Sequence, residues 1–137
     1  MEHTDRKNKI LVIEDEPIIS LICMKVLTRD GFDVDVASNG LVAVDMAKKN
    51  EYDFYLSDIR TPEMNGIEFF EYLKLNRPGL EKRVIFSTGD VMSYEIKSFL
   101  DKNNNLFLSK PFTPDELRAV MKSAVKKRAN GEGIKEN

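Results

Sequence analysis

Five polar residues stand at the ends of short apolar runs, and their types suit metal binding and phosphoryl chemistry. They are Glu14, Asp15, Asp58, Thr88 and Lys110. Three carboxylates brought together would repel one another, and a hard divalent cation such as Mg²⁺, which prefers oxygen ligands, relieves that repulsion. A lysine ammonium and a threonine hydroxyl suit the oxygens of a phosphoryl group that is reaching a carboxylate nucleophile. The set therefore suggests phosphoryl transfer to a carboxylate, provided that the fold brings these residues together.

The apolar runs that precede these residues are predicted to be strands. Residues 10–13, 52–57, 84–86 and 106–108 are short apolar stretches of the kind buried in parallel sheets, whereas residues 32–36 alternate apolar and acidic side chains. Such alternation is typical of a strand with one wet face, so we expect the second strand at an edge of the sheet.

Five amphipathic stretches alternate with these strands and predict helices. The first begins at Pro17 and stops before Gly31, with apolar residues at helical spacing that include Ile18, Ile22 and Cys23. Others cover residues 41–49, the stretch from Gly66 to residue 76, residues 92–100, and a last helix that opens with a capping box at residues 113–116. Asn103, Asn104 and Asn105 are predicted to end the fourth helix.

The connections between the strands are too long for hairpins and therefore predict parallel crossovers. The fold class expected is α/β, a doubly wound five-stranded parallel sheet in the order 2-1-3-4-5 with helices on both faces, as in flavodoxin-like proteins. All carboxyl ends of parallel strands lie at one edge of the sheet. The polar residues at those ends are therefore expected to converge.

Four motifs at successive strand ends resemble those of response-regulator receiver domains, the phosphoaccepting modules of two-component signalling. The matching segments are residues 13–16 (Ile-Glu-Asp-Glu), residues 57–66 with Asp58 near their start, residues 87–89 (Ser-Thr-Gly) and residues 109–112 (Ser-Lys-Pro-Phe). The resemblance covers roughly residues 8 to 128. The chain is similar both to chemotaxis-type single-domain receivers and to the receivers of hybrid sensor kinases.

The resemblance implies a chemistry centred on Asp58 as the phosphoacceptor. Asp15, Asp58 and the backbone carbonyl of Arg60 would bind Mg²⁺, with Glu14 acting through water and Mn²⁺ as a substitute ion. The donor would be a phosphohistidine on a sensor histidine kinase or a histidine phosphotransfer protein. The protein would be a signalling module that catalyses only its own phosphorylation and dephosphorylation.

The resemblance also implies a switch. Thr88 and Lys110 would grip the phosphoryl oxygens, Phe107 would turn inward, and a surface made of the fourth helix, fifth strand and fifth helix would change state. That surface would bind an output partner or form a homodimer. The Lys110–Pro111 peptide bond is expected to be cis.

Two positions depart from the family's usual pattern, and two others match positions that tune it. Glu14 stands where aspartate is commoner, and Phe107 replaces a frequent tyrosine and so lacks its hydroxyl. Arg60 and Asp90 occupy the positions that tune the lifetime of the phosphoryl group, and the two side chains are expected to pair with each other.

The composition of the chain limits its possible binding partners and its location. The chain has 137 residues and a formal net charge of −2, which gives no electrostatic reason to expect nucleic-acid or anionic-membrane binding. Its one cysteine cannot form an intrachain disulfide, and no apolar run approaches a membrane span. We expect a polar leader at residues 1–7, a receiver domain at 8–128, a disordered tail or linker at 129–137, and a cytoplasmic location.

Other functions on the same fold fit the sequence less well. A phosphorylation-independent interaction domain would not need the complete acceptor, metal and lysine set. An aspartyl-nucleophile phosphatase would carry a second acid where this chain has Arg60. A flavin-binding module would need a phosphate loop after the first strand, where residues 14–16 are all acidic and would repel a phosphate.

Overall fold

In the computed structural model, residues 7–89 and 93–131 are described, and they form alternating strands and helices. The strands are β1 (Lys9–Ile13), β2 (Asp33–Ala37), β3 (Phe54–Asp58), β4 (Val84–Thr88) and β5 (Phe107–Ser109). The helices are α1 (Pro17–Arg29), α2 (Gly40–Lys49), α3 (Gly66–Asn76), α4 (Tyr94–Asn103) and α5 (Pro114–Gly131). A short 3₁₀ turn, Leu80–Arg83, precedes β4 and has no counterpart in the sequence prediction.

The five strands form one parallel sheet in the order β2-β1-β3-β4-β5, which confirms the predicted topology. β3 and β4 are buried along their whole length, as expected for central strands covered on both faces. β2 lies at an edge, where the alternating acidic residues Asp33 and Asp35 are exposed and partly exposed, respectively.

The sheet separates two apolar layers. One layer packs α2, α3 and α4 against the sheet around aromatic residues such as Tyr55, Phe69 and Phe86. The other packs α1 and α5 against the opposite face around Val12, Leu27, Leu56 and Leu117. This arrangement places α1 beside α5.

The first helix buries only part of the apolar stripe that its sequence shows. Cys23, Val26 and Leu27 are buried against the sheet, but Ile18 is 74% exposed and Ile22 is 41% exposed. A helix packed on a sheet can bury one face, and α1 carries apolar residues around more than that face. Ile18 and Ile22 therefore lie at the solvent-facing end of the stripe.

Two helix ends match their sequence signals and one boundary differs. Asn104 has a left-handed conformation and ends α4, and a capping box joins Thr113 to Glu116 at the start of α5. α5 continues through Gly131, so the tail predicted from residue 129 begins three residues inside the helix. Gly131 is a poor helix former, but helix termini commonly extend a residue or two beyond their sequence signals. Among the described residues, no helix is both long and apolar enough to cross a membrane.

Candidate functional site

The sheet brings the predicted site residues to its carboxyl edge. Asp58 is the last residue of β3 and Thr88 the last of β4, and Glu14 and Lys110 directly follow β1 and β5. The register pairs Asp58 with Ser87 and Thr88 with Ser109, so the ends of neighbouring strands are level. The backbone N–H of Lys110 donates to the carbonyl oxygen of Thr88 at 2.9 Å and extends this alignment past the end of β5.

Lys110 occupies the centre of the site. Its Nζ lies 2.9 Å from Oδ2 of Asp58, 3.1 Å from Oε1 of Glu14 and 3.7 Å from Oε2 of Glu16. Asp58 and Glu14 are buried, at 5% and 4% exposure, whereas Glu16 lies at the surface. One ammonium thus compensates the charge of two buried carboxylates and one exposed carboxylate.

The titration of the site reflects this crowding. The pKa of Glu14 is raised, first by burial of the carboxyl group and then by the neighbouring charge of Asp58. Burial of Lys110 acts to lower its pKa, but hydrogen bonds to Asp58 and Glu14 outweigh burial and leave the pKa above its ordinary value. Lys110 therefore stays protonated beside the buried carboxyl groups of Asp58 and Glu14.

The acidic residues after β1 form a group that suits a hard cation. Carboxylate oxygens of Glu14, Asp15 and Glu16 all lie within 4.8 Å of one another. Oxygen donors with excess negative charge are the ligands that Mg²⁺ prefers. Asp58 is not part of this group of three, and its Oδ2 lies 2.9 Å from Nζ of Lys110. Glu16 was not among the predicted site residues, although its place in the acidic run after β1 was a signal for it.

The carboxylate of Asp58 is held from two sides. The backbone N–H of Arg60 donates to Oδ1 of Asp58 at 3.2 Å, while Lys110 donates to Oδ2. Behind the strand end, Gly66 approaches so closely that a Cβ atom there would lie 2.6 Å from the carbonyl oxygen of Asp58. Thr61 Oγ1 donates to the carbonyl oxygen of Met64 at 2.9 Å and ties the loop that follows β3. Asp58 is thus fixed by the turn that its Pro- and Gly-bearing sequence predicted.

The remaining predicted residues lie around this centre or outside the described part of the chain. Thr88 is buried at 1% exposure, and Phe107 points outward on β5 at 45% exposure. The Lys110–Pro111 peptide bond is cis, as the resemblance implied. Asp90 lies outside the described residues, so its pairing with Arg60 remains a prediction.

The fold and the site together define a doubly wound α/β signalling receiver. A family model described as the response regulator receiver domain matches residues 10–122. The chain belongs to this family. It is 32% identical over 117 residues to the probable transcriptional regulator ycf29 of Pyropia yezoensis, covering 85% of this chain and 53% of that protein.

Two further comparisons extend this result. The transcription factor SKN7 of Saccharomyces cerevisiae is 31% identical, with 87% of this chain aligned to 19% of that protein. The solved structure of Vibrio cholerae chemotaxis protein CheY4 superposes with a TM-score of 0.78 at 25% identity, covering 87% of this chain and 99% of that one. The chain therefore spans about half of ycf29 or less than a fifth of SKN7, but nearly all of a single-domain receiver.

Family membership fixes the general role. The chain is a receiver domain of two-component response regulators, and receiver domains are signalling modules rather than enzymes that turn over a substrate. Receiver domains interact with histidine kinases or phosphotransfer proteins and typically bind Mg²⁺ at an acidic site. Relatives such as SKN7 carry additional sequence beyond the shared receiver region.

Proposed function

We propose that the protein accepts a phosphoryl group on Asp58 from a phosphohistidine donor. The observation that carries this proposal is the position of Asp58, which ends the central strand β3 with one carboxylate oxygen held by Lys110 and the other by a backbone N–H. In the transfer, a carboxylate oxygen of Asp58 attacks phosphorus, the P–N bond to the imidazole breaks, and the imidazole nitrogen keeps the electron pair and takes up a proton.

The proposed ligands of Mg²⁺ are Glu14, Asp15, Asp58 and the backbone carbonyl of Arg60. Glu16 lies close enough to add negative charge to the same site. The bound ion supplies positive charge that offsets the charge of the transferring phosphoryl group. Glu14 and Asp15 would hold the ion at this edge of the sheet, and the backbone N–H of Arg60 donates to Oδ1 of Asp58.

Lys110 and Thr88 are the proposed partners of the phosphoryl oxygens. Lys110 already lies 2.9 Å from the acceptor oxygen, and Thr88 is buried at the end of the neighbouring strand. A phosphoryl group adds up to about two negative charges and three acceptor oxygens. Lys110 would then move its hydrogen bonds from carboxylates to phosphoryl oxygens, which loosens its pair with Glu14.

We further propose that phosphorylation switches the surface formed by α4, β5 and α5. Phe107 lies partly exposed on β5, in register with Phe86 of the buried strand β4, so an inward turn of its ring would change that surface. The proposal assigns the contact with an output partner, or with a second copy of the chain, to this surface. It assigns control of the lifetime of the phosphoryl group to Arg60 and Asp90, and it places the protein's action in the cytoplasm. It assigns the receiver to residues 8–128.

The test is to incubate the protein with Mg²⁺ and acetyl phosphate and to weigh it intact. The wild type is expected to gain the mass of one phosphoryl group, Asp58→Asn to gain none, and the exposed control Asp45→Asn to behave as the wild type. Omission of Mg²⁺ with a chelator should abolish labelling. A wild-type mass that stays unchanged while a known receiver is labelled would overturn the proposal and favour a phosphorylation-independent interaction domain.

A further inference from the structure

The carbonyl oxygen of Met64, in the loop between β3 and α3, accepts two hydrogen bonds. The Thr61 hydroxyl donates to it at 2.9 Å, and the backbone N–H of Gly40, the first residue of α2, donates to it at 3.0 Å. A carbonyl oxygen has two lone pairs, so these two donors use its full capacity. Met64 therefore ties the loop both to its own first half and to a neighbouring helix.

Gly40 makes the second of these bonds possible because it has no side chain. A Cβ atom at position 40 would overlap the carbonyl oxygen of Met64 and would lie 2.7 Å from Cγ of Met64. Glycine is the residue that permits such a close approach between two backbone segments. Any larger residue at position 40 would therefore push the start of α2 away from the loop.

The Thr61 hydroxyl closes the turn from the inside. Thr61 is 8% exposed, and the chain reaches Met64 through Glu63, whose φ of 67° lies in the left-handed region. That region is unfavourable for a residue other than glycine, so the surrounding contacts must hold the chain there. The bond from Thr61 to Met64 spans Glu63 and is one of those contacts.

The same loop carries the backbone group that holds Asp58. Arg60, directly before Thr61, donates its N–H to Oδ1 of Asp58 at 3.2 Å. On the other side of Arg60, the carbonyl oxygen of Ile59 accepts from the N–H of Gly66 at 2.9 Å. The Arg60 backbone thus lies between two fixed points, and removal of the Thr61 hydroxyl releases one of them.

We infer that Thr61 and Gly40 are positioning residues for Asp58. Through the carbonyl of Met64 they fix the loop that places the Arg60 backbone, and the Arg60 N–H in turn orients the carboxylate of Asp58. This inference rests on the proposed phosphorylation of Asp58. Small displacements of a reacting group lower the rate of a positioned reaction strongly, so a contact at one remove from Asp58 should affect phosphorylation.

The test separates the hydroxyl of Thr61 from its shape. Thr61→Val keeps the branched shape and removes the hydroxyl, whereas Thr61→Ser keeps the hydroxyl. Thr28→Val is the matched control, because Thr28 is exposed on α1. Three quantities are measured for each variant: the rate of labelling by acetyl phosphate at saturating Mg²⁺, the free energy of unfolding in urea, and the amide NMR signals of Arg60 and Gly40 in the absence of phosphodonor.

Thr61→Val should be labelled about tenfold more slowly than the wild type, and Thr61→Ser should return to within about twofold of the wild-type rate. In Thr61→Val, the Arg60 amide proton should shift upfield as its bond to Asp58 weakens, and the Gly40 amide should exchange with solvent several times faster. Thr28→Val should match the wild type in labelling and in both amide signals. A purely structural role would lower the free energy of unfolding without moving the Arg60 signal.

Gly40→Ala provides a second, independent variant if Thr61→Val does not fold. It should also slow labelling and shift the Arg60 amide signal, whereas Gly131→Ala, where a Cβ atom meets nothing within 4 Å, should do neither.

The contrary outcomes are distinguishable. A wild type that acetyl phosphate does not label would overturn the phosphoacceptor role itself. A labelled wild type together with wild-type labelling rates in Thr61→Val and Gly40→Ala would overturn the positioning role alone. Slow labelling in Thr61→Ser equal to that in Thr61→Val would also overturn it, because the hydroxyl would then not be the cause.

Discussion

Replacing Glu14 by Gln is expected to stabilise the protein in the absence of divalent metal. The substitution keeps the shape of the side chain and removes the charge of a carboxylate that is 4% exposed. The pKa of Glu14 is raised by burial and by Asp58, which means that the folded state holds the charged form less well than water does. Removal of that charge should raise the free energy of unfolding near neutral pH.

The magnitude follows from opposing contributions. Glu14 and Asp58 each bind Lys110, at 3.1 and 2.9 Å, so the two bound oxygens are at most about 6 Å apart. Their repulsion is on the order of 3 kcal/mol at an effective dielectric constant of about 20, against about 5 kcal/mol of attraction between Glu14 and Lys110. Burial of the carboxylate offsets the remaining attraction and tips the balance, so we expect a net gain of about 1 kcal/mol.

The dependence on pH tests the cause of this gain. The folded pKa lies above the ordinary value of 4.5, so the folded state binds the proton more tightly and wild-type stability falls as pH rises from 4.5 through the raised pKa. Well below pH 4.5 the carboxyl group is neutral in both states, and the advantage of Glu14→Gln should disappear. Above the raised pKa, the full advantage should be present.

Urea unfolding followed by circular dichroism in a chelating buffer measures the effect, with the exposed residue Glu71 replaced by Gln as a control that should change stability by less than about 0.5 kcal/mol. Added Mg²⁺ should stabilise the wild type more than Glu14→Gln, because the variant has lost a proposed ligand charge. A variant that is less stable than the wild type in chelator, or an advantage that is independent of pH, would refute the electrostatic reasoning.

Two further substitutions test the scaffold. Asp53→Ala should lower the free energy of unfolding by about 3 kcal/mol in urea unfolding, because Asp53 is 6% exposed and holds Arg128 at 2.7 Å; a loss below about 1 kcal/mol would contradict this role. Gly66→Ala should cost about 1 to 3 kcal/mol and slow labelling by acetyl phosphate, because its Cβ would lie 2.6 Å from the Asp58 carbonyl oxygen. Gly131→Ala is the control, because a Cβ atom at that position would have no other atom within 4 Å. Equal labelling rates for Gly66→Ala and Gly131→Ala would refute the argument that Gly66 positions Asp58.

The sequence predicted the sheet well because the strand signals were strong. Short apolar runs with long connections allow few topologies, and the acidic alternation of Asp33 and Asp35 identified the edge strand. Helix packing was harder to predict. The periodicity of α1 shows which residues are apolar, but which stripe faces the sheet depends on the helix's orientation against β1, β2 and α5, so the exposure of Ile18 could not be foreseen.

The site was predictable to the level of which residues meet, but not of which atoms bond. Parallel strands force Asp58, Thr88 and Lys110 to one edge, whatever the details of packing. The division of Lys110 among three carboxylates depends on rotamers and on distances below 4 Å, which residue spacing does not encode. Glu16 entered the site for that reason, although its side chain is largely exposed.

Because the sheet lies between the two apolar layers, substitutions in one layer have little direct contact with the other. The side chains beneath α1 and α5 have few neighbours in the layer of α2 and α3. Substitutions in one layer should therefore change stability almost independently of substitutions in the other. Substitutions in the layer under α1 and α5 can therefore accumulate with little effect on the stability that the opposite layer contributes. At the carboxyl edge of the sheet, which both layers border, the effects of substitutions are expected to depend on one another.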